Sequence, residues 1–424
     1  MTDFRPQVQK ELDNLVSIAH KYREGDISES LFWDVISKYK KDDEKVDDYK
    51  EYLLNNDVKI ISDDNDIETE NYENDEAMSI KPYDTRLIDI SPKPLSLDMI
   101  IARLENEEID LMPDFQRKSG LWTDEQKSQL IESLILRIPL PAFYFDGSDN
   151  DMWVVIDGLQ RLTALKEFFV NKSLKLNGLE FLKDLEGLTI DDMPRAYVRR
   201  MKETQIITYI INPGAPINLK YNIFKRINTG GLKLEPQEIR HALYQGFATK
   251  YLKQLAKMKR FKEATGYSIK SDRMMDREFV LRFIAFYELS VDNYKGSIDL
   301  FLNSAMEHIN KNYNEQYAAH VERLFEKTLD VSELIFEKFA FRRMPDMDKR
   351  RPISKALFET WTSILATYSD DDLQTLVDNK NKIIEKYMIM CSQDKDFIDS
   401  IGSGKVSAVR RRFEKIKSLV EEMI

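Results

Sequence analysis

The feature that most constrains the fold is an apolar run that changes into a helical pattern across two residues, Asp157 and Gly158. Trp153–Ile156 is short, β-branched and aromatic, which is typical of a buried strand. Beyond the turn, apolar residues recur at the three-to-four spacing of one helix face, at Leu162, Leu165, Phe168 and Phe169. The sequence therefore predicts a strand followed at once by a helix.

The turn between this strand and this helix has the properties of an anion site. The first amides of a helix are unpaired and its dipole is positive there, and Gly158 lets a ligand approach the backbone. Arg161 would offer a planar charged fork to a phosphate oxygen, and Asp157 would hold a metal-bound water or a ribose hydroxyl. The alternative is a plain connection in which Asp157 caps the helix and Arg161 is solvated, since Asp-Gly is a common turn signal.

Composition bounds the class of protein. With 424 residues, of which 42% are hydrophobic, the chain is long enough for two or three domains. It has no apolar run of membrane-spanning length and no signal-peptide pattern at Met1–Arg5, so we expect a soluble cytoplasmic protein without membrane contact. A single cysteine and four dispersed histidines argue against a disulfide, a thiolate zinc cluster and histidine-rich metal chemistry.

The formal charge of −11 is unevenly distributed. Residues 42–76 hold fifteen acidic residues and three lysines, a local charge of −12, so the remainder is nearly neutral. This segment is interpreted as a linker that can begin with a charged helix, or as a tail that screens a basic surface. Later basic clusters predict contacts with a phosphate backbone, for which we select Lys257, Arg260, Arg273, Arg410 and Arg411.

Two Gln-Arg pairs occur close to the turn. Gln116–Arg117 precedes a helix whose start is marked by the capping box of Thr123 and Gln126, and Gln160–Arg161 follows Gly158. We predict that both pairs face one pocket; the alternative is that Arg117 forms a structural salt bridge with Glu132.

Three ordered motifs carry a resemblance to a known family. Ile156–Leu165 resembles the Asp-Gly-Gln-Gln-Arg signature of the N-terminal domain of GmrSD-type modification-dependent restriction enzymes, in the ParB/sulfiredoxin superfamily. Residues 113–117 with Trp122, and residues 224–240, resemble the blocks that precede and follow this signature. The family's first Gln of the signature is Leu159 here, which puts efficient hydrolysis in doubt. No His follows His320, so the His-Asn-His nuclease module of many relatives is not expected.

The resemblance implies an α+β fold, with a ParB/sulfiredoxin-like nucleotide-binding domain followed by an all-helical domain. We assign residues 1–40 to N-terminal helices, 41–82 to the acidic linker, 83–246 to the domain with the motif, and 247–424 to the helical domain. The implied function is a nucleotide-binding, NTP-hydrolysing component of bacterial anti-phage restriction that acts on foreign or modified DNA. The alternatives are a non-catalytic ParB-like switch that binds DNA or recruits an effector protein, and a DNA nickase. A homo-oligomer is compatible with any of these.

The residues of this implied site follow from the matched motifs. Asp157, Gln160 and Arg161 would be catalytic, with Asp157 the ligand of Mg²⁺ and a nucleoside triphosphate the substrate or ligand. The residues expected to bind the nucleotide are Gln116, Arg117, Gly158, Arg226, Asn228, Gly230, Gln237 and Arg240.

Overall fold

The structure is a computed structural model that describes residues 4–39, 46–62, 67, 90–111, 122–149, 151–212, 214, 216–227, 234–271 and 273–424. The chain divides into two compact units, residues 79–243 and residues 1–78 together with 244–424. Of the predicted site residues, Gln116, Arg117, Asn228 and Gly230 lie outside the described residues.

The N-terminal part of the chain forms a small apolar cluster of its own. Its elements are α1 (Pro6–Tyr22), β1 (Asp26–Ser28), α2 (Glu29–Ile36), α3 (Val46–Asn55) and β2 (Lys59–Ile61), with β1 parallel to β2. Ser28 caps α2, because its hydroxyl accepts from the amide of Leu31. The first part of the acidic segment therefore forms a helix and a strand, and residues 63–66 and 68–89 lie outside the described residues.

Residues 79–243 are built around a five-stranded mixed sheet. Its strands are β3 (Ile90–Ser96), β4 (Ile109–Asp110), β5 (Phe143–Asp146), β6 (Trp153–Asp157) and β7 (Gln205–Ile211), in the spatial order β3-β7-β5-β6-β4. β5 runs antiparallel to β6 and parallel to β7. The two strands that flank the predicted turn are therefore neighbours at the centre of the sheet.

Helices cover one face of this sheet. They are α4 (Leu97–Glu105), α5 (Asp124–Ile135), α6 (Leu159–Leu165), which continues as a π-helical turn Lys166–Val170, and α7 (Arg195–Lys202). Their apolar residues pack with Phe143, Phe145 and Val155 of the sheet in one core. The predicted capping box is confirmed, because Thr123 accepts from the amide of Gln126 and the side chain of Gln126 accepts from the amide of Thr123.

The other face carries α8 (Ile217–Ile227), which packs against β6, and α8 in turn packs against α9 (Pro236–Leu243). Lys220 of α8 donates to both carboxylate oxygens of Asp146, at 3.1 and 3.0 Å, and both side chains are buried. This ion pair fixes α8 to the end of β5.

From residue 247 the described chain is helical. The helices are α10 (Phe247–Ala256), α11 (Lys259–Ala264), α12 (Met275–Leu289), α13 (Ile298–Asn312), α14 (Glu315–Phe336), α15 (Lys355–Leu365), α16 (Asp370–Asp378), α17 (Lys380–Gln393), α18 (Lys395–Ile401) and α19 (Val406–Glu421). The protein is therefore α+β, as predicted. No described helix is both long and apolar enough to cross a membrane.

The N-terminal helices belong to the same unit as these C-terminal helices, which differs from the division drawn from the sequence. Arg23, whose side chain is buried, donates to the carbonyls of Gly266 and Tyr267 at 3.3 and 3.2 Å. The ring of Tyr22 packs 5.9 Å from that of Tyr267. A buried arginine and an aromatic contact join parts of the chain far apart in sequence, so no local pattern could predict them.

A buried ion network joins three helices of this unit. Glu359 of α15 accepts from Arg282 of α12 and Arg412 of α19, each at 2.7 Å, and all three residues are at most 2% exposed. Arg282 also pairs with Glu278 at 3.1 Å. Because buried charges are costly unless paired, this network is sensitive to the loss of any one member.

We expect Glu359→Gln to lower the free energy of unfolding by about 3–5 kcal/mol, because the buried Arg412 loses the carboxylate that it pairs with and Arg282 keeps only that of Glu278. Urea denaturation of the full chain measures this. Glu414→Gln, at an exposed position on α19, is the control and should change little. Equal stability of the two variants would contradict this account of the network.

A pH effect is expected from Asp276 in the first turn of α12. Burial raises the pKa of its carboxyl from 3.8 to about 6, against the lowering effect of Arg277 and Lys262. The folded state therefore binds this proton more tightly than the unfolded state, and stability falls as pH rises from about 4 to about 6. Asp276→Asn should raise the free energy of unfolding above pH 6 by up to about 3 kcal/mol, with little gain at pH 4.

Unfolding curves of wild type and Asp276→Asn at pH 4, 6 and 8 measure this effect. Asp399→Asn, at an exposed position of α18, serves as the control. A gain that is independent of pH would show that the carboxyl of Asp276 does not titrate in this range.

Candidate functional site

The strand-to-helix turn has the predicted form, with one refinement. Gly158 is the N-cap of α6 and has φ +103°, a left-handed conformation that favours glycine. The register between β5 and β6 shifts, so that Phe145 pairs with Val155 and Tyr144 pairs with Asp157. Ile156 is the extra residue of this β-bulge, and the bulge sets the face on which Asp157 emerges.

Arg161 makes several contacts that hold the turn together. Its guanidinium donates to the carbonyl of Pro141, to the carbonyl of Ala142 at 3.2 Å and to the carboxylate of Asp157 at 3.0 Å. It also lies 4.4 Å over the ring centroid of Phe143. The residue is only 8% exposed. From the sequence, we predicted that the guanidinium of Arg161 binds a phosphate. In the structure, this guanidinium instead joins α6 to the segment before β5 and orients Asp157.

Burial acts in opposite directions on the two partners of this ion pair. It raises the pKa of the Asp157 carboxyl, while Arg161 and the amide of Gly158 lower it. Burial likewise lowers the pKa of the Arg161 guanidinium, and the carboxylate of Asp157 raises it. Desolvation prevails for both groups, so Asp157 holds its proton more tightly than an exposed aspartate does.

The neighbouring positions of the motif have local structural roles. The side-chain carbonyl of Gln160 accepts from the amide of Trp122 at 3.3 Å, which links the start of α6 to the segment before α5. Leu159 packs against the apolar core. Position 159 therefore presents no polar group in this protein.

The predicted residues of α8 and α9 differ in how far they are buried. Arg226 is exposed on α8, whereas Gln237 and Arg240 are each 1% exposed. Arg240 donates to the side chain of Gln237 at 2.8 Å and to the hydroxyl of Tyr221 at 3.3 Å. Gln237 and Arg240 thus satisfy each other inside the α8–α9 corner.

The side chain of Glu132, the proposed partner of Arg117, is hydrogen-bonded to backbone amides. Its carboxylate accepts from the amides of Glu180, Phe181 and Leu182, at 3.0, 2.8 and 2.7 Å. This carboxylate therefore organises the loop that follows the π-helical turn.

Sequence reasoning missed two tyrosines beside Asp157. Tyr144 pairs with Asp157 across the bulge, and its ring stacks on that of Tyr209 with centroids 4.8 Å apart and an angle of 11° between the planes. The available signal was the alternation of the flanking strands, in which both tyrosines fall out of phase with the buried residues around them.

The five basic residues selected for DNA contact have different environments. Lys257, Arg410 and Arg411 are exposed. Arg411 pairs with Asp396 at 3.3 Å, and Arg410 donates to the carbonyl of Asp292 at 3.4 Å. Arg260 pairs with Asp330, with Glu333 at 2.7 Å and with Glu263 at 3.7 Å, and Arg273 is partly buried. The charge of Arg260 is thus matched by acidic residues within the protein.

Possible metal ligands are sparse in the described part of the chain, where no group of three or more His, Cys, Asp or Glu side chains is placed to hold a metal ion. Asp157 supplies a single carboxylate, which suits Mg²⁺ bound mainly through substrate phosphates.

Residues 100–245 match the family model of the GmrSD restriction endonuclease, N-terminal domain. This match confirms the resemblance to the N-terminal domain family that the sequence motifs indicated. It spans β6, the turn at Gly158, α6 and the α8–α9 corner. Neither the curated proteins nor the solved structures gave a match to the chain.

The turn at Gly158 should tolerate no side chain. A Cβ added there would lie 2.5 Å from Cδ1 of Phe143, whereas one added at Gly187, with φ +81°, would meet nothing within 4 Å. Both glycines have a left-handed backbone, so Gly187→Ala is a matched control for the conformational cost. We expect Gly158→Ala to destabilise by a further 1–3 kcal/mol, roughly the cost of overpacking.

Urea denaturation compares the two variants directly. Phe143→Leu combined with Gly158→Ala should recover part of the difference, because the smaller side chain leaves room for the new Cβ. Equal costs at positions 158 and 187 would contradict the close contact with Phe143.

Proposed function

We propose that the domain of residues 100–245 binds a nucleoside triphosphate at the Asp157 turn and hydrolyses it as part of a restriction system directed against foreign or modified DNA. The family match supports the restriction role. The single observation that carries the site is the partly buried Asp157–Arg161 pair, which a left-handed glycine and a β-bulge hold at the strand-to-helix turn.

The chemistry proposed for Asp157 follows from its surroundings. Asp157 would hold Mg²⁺ or accept a hydrogen bond from the attacking water, and burial raises the pKa of its carboxyl above that of an exposed aspartate. Arg161 acts as a positioning residue, because three acceptors within the protein already engage its guanidinium. Gly158, which is buried, allows the left-handed backbone of the turn.

Other residues would complete the pocket. From the family resemblance, we propose that Gln116, Arg117, Asn228 and Gly230 bind the nucleotide together with the exposed Arg226. Gln237 and Arg240 would support these residues from inside the α8–α9 corner. Mg²⁺ bound at Asp157 would neutralise phosphate charge, and such positioning and charge stabilisation are the main needs of phosphoryl transfer.

DNA is the proposed target of the system. The exposed Lys257, Arg410 and Arg411 are the described basic residues best suited to contact its phosphates. Such contacts would weaken steeply with salt.

A second function is favoured by Leu159. Its side chain packs on the core where the family has a second polar residue. If that polar group is needed to orient water, the domain would bind a nucleotide without turnover and act as a ParB-like switch for DNA or an effector protein.

The test is phosphate release from ATP, GTP, CTP and UTP with Mg²⁺, with and without DNA, by wild type and Asp157→Asn. We expect Asp157→Asn to lower turnover by roughly 100-fold or more, because the carboxylate that would hold Mg²⁺ or the attacking water is lost. Asp151→Asn, at an exposed position in the β5–β6 connection, is the matched control and should keep full activity. Thermal melting of each variant checks that the fold is intact.

The other possible results of this test lead to different conclusions. Nucleotide binding without turnover in wild type supports the switch. Plasmid nicking that requires metal and Asp157 supports the nickase. Turnover that is equal in Asp157→Asn and wild type would sink the assignment of the chemistry to this turn.

A further inference from the structure

A row of four paired residues crosses the sheet at the level of Asp157. Pro92 of β3 pairs with Tyr209 of β7, Tyr209 pairs with Tyr144 of β5, and Tyr144 pairs with Asp157 of β6. Because directly paired residues project to the same face, the row sets a proline ring, two tyrosine rings and a carboxylate side by side.

This row lies on the face opposite the main core. Neither tyrosine belongs to the apolar core that contains Phe143 and Phe145, and both are partly exposed. Exposure rises along the same face of β7, from 1% at Ile211 to 45% at Ile207. The covered end is the one where Lys220 of α8 pairs with Asp146. Among the described residues, the aromatic pair therefore lies where this face opens.

The two rings form the beginning of a stack. They are nearly parallel, at 11°, with centroids 4.8 Å apart. The face of the Tyr209 ring that does not contact Tyr144 is directed to β3. β3 is an edge strand, and its residue that pairs with Tyr209 is the exposed Pro92. A third planar ring can be added there, with the proline ring beneath it.

The distance to Asp157 restricts what that ring belongs to. Neighbouring strands are about 4.8 Å apart, so a ring beyond Tyr209 lies roughly 10–15 Å from Asp157. An extended nucleoside triphosphate spans a separation of this order between its base and its terminal phosphate.

We propose that Tyr209 and Tyr144 form the base platform of the nucleotide site, with the base stacked on Tyr209 over Pro92 and the phosphates extended to Asp157. This inference rests on the proposed function. Aromatic stacking accepts any base, so the platform supplies affinity for a nucleoside without selecting among the four.

The test separates base binding from phosphate binding. Calorimetry measures the affinity of the full chain for ATP, GTP, CTP and UTP, and for inorganic tripolyphosphate, each with Mg²⁺. We expect Tyr209→Leu to weaken binding of every nucleotide that wild type binds by roughly 10-fold or more and to leave tripolyphosphate binding unchanged. Tyr209→Phe keeps the ring and should bind as wild type does. Ile207→Thr, which alters the same face without touching the stack, is the control.

The outcomes distinguish this inference from the function on which it rests. If wild type binds nucleotides and Tyr209→Leu binds them equally well, the platform is overturned and the pair serves only strand pairing. If Tyr209→Leu weakens the binding of nucleotides and of tripolyphosphate to the same extent, the effect is structural and the platform is again overturned. If wild type binds none of the four nucleotides, the proposed function itself fails.

Discussion

The ordering of the turn depends on one buried guanidinium. Arg161 donates to two consecutive carbonyls at the entry to β5 and to Asp157 at the end of β6, and it packs on Phe143. Charge-assisted hydrogen bonds in a desolvated position are stronger than those at a surface. The same contacts that complete the turn also fix the carboxylate of Asp157, so the stability of the turn and the orientation of Asp157 depend on one side chain.

The helical unit uses buried arginines in a similar manner. Arg282 and Arg412 converge on Glu359, and Arg23 binds the carbonyls of Gly266 and Tyr267. In each case the guanidinium satisfies several acceptors, at least one of which is distant in sequence. The arginines of the C-terminal sequence therefore divide into internal residues such as Arg412 and exposed residues such as Arg410. Charge clusters in the sequence alone overestimate the basic surface.

Local signals predicted local structure well. The capping box at Thr123, the central strands and the turn at Gly158 depend on residues close in sequence, and each was predicted from them. The partners of Arg161 lie about twenty positions away, at Pro141 and Ala142, and the strand pairing that joins Tyr144 to Tyr209 spans a longer interval. Tertiary pairing decides these contacts, so the sequence could indicate the residues of the turn without indicating which way Arg161 faces.

Because of the bulge at Ile156, the number of residues in β6 affects where Asp157 lies. Side chains alternate between the two faces of a strand, so one inserted residue reverses the phase of everything that follows it. Shortening β6 by this one residue would leave every functional side chain in the sequence and return the strand to regular alternation. Asp157 would then pair with Tyr144 in regular register, without the local bend and twist that the bulge gives to the end of β6. In a family member, the spacing between the strand and the Asp-Gly pair is therefore as informative as the identity of the motif residues.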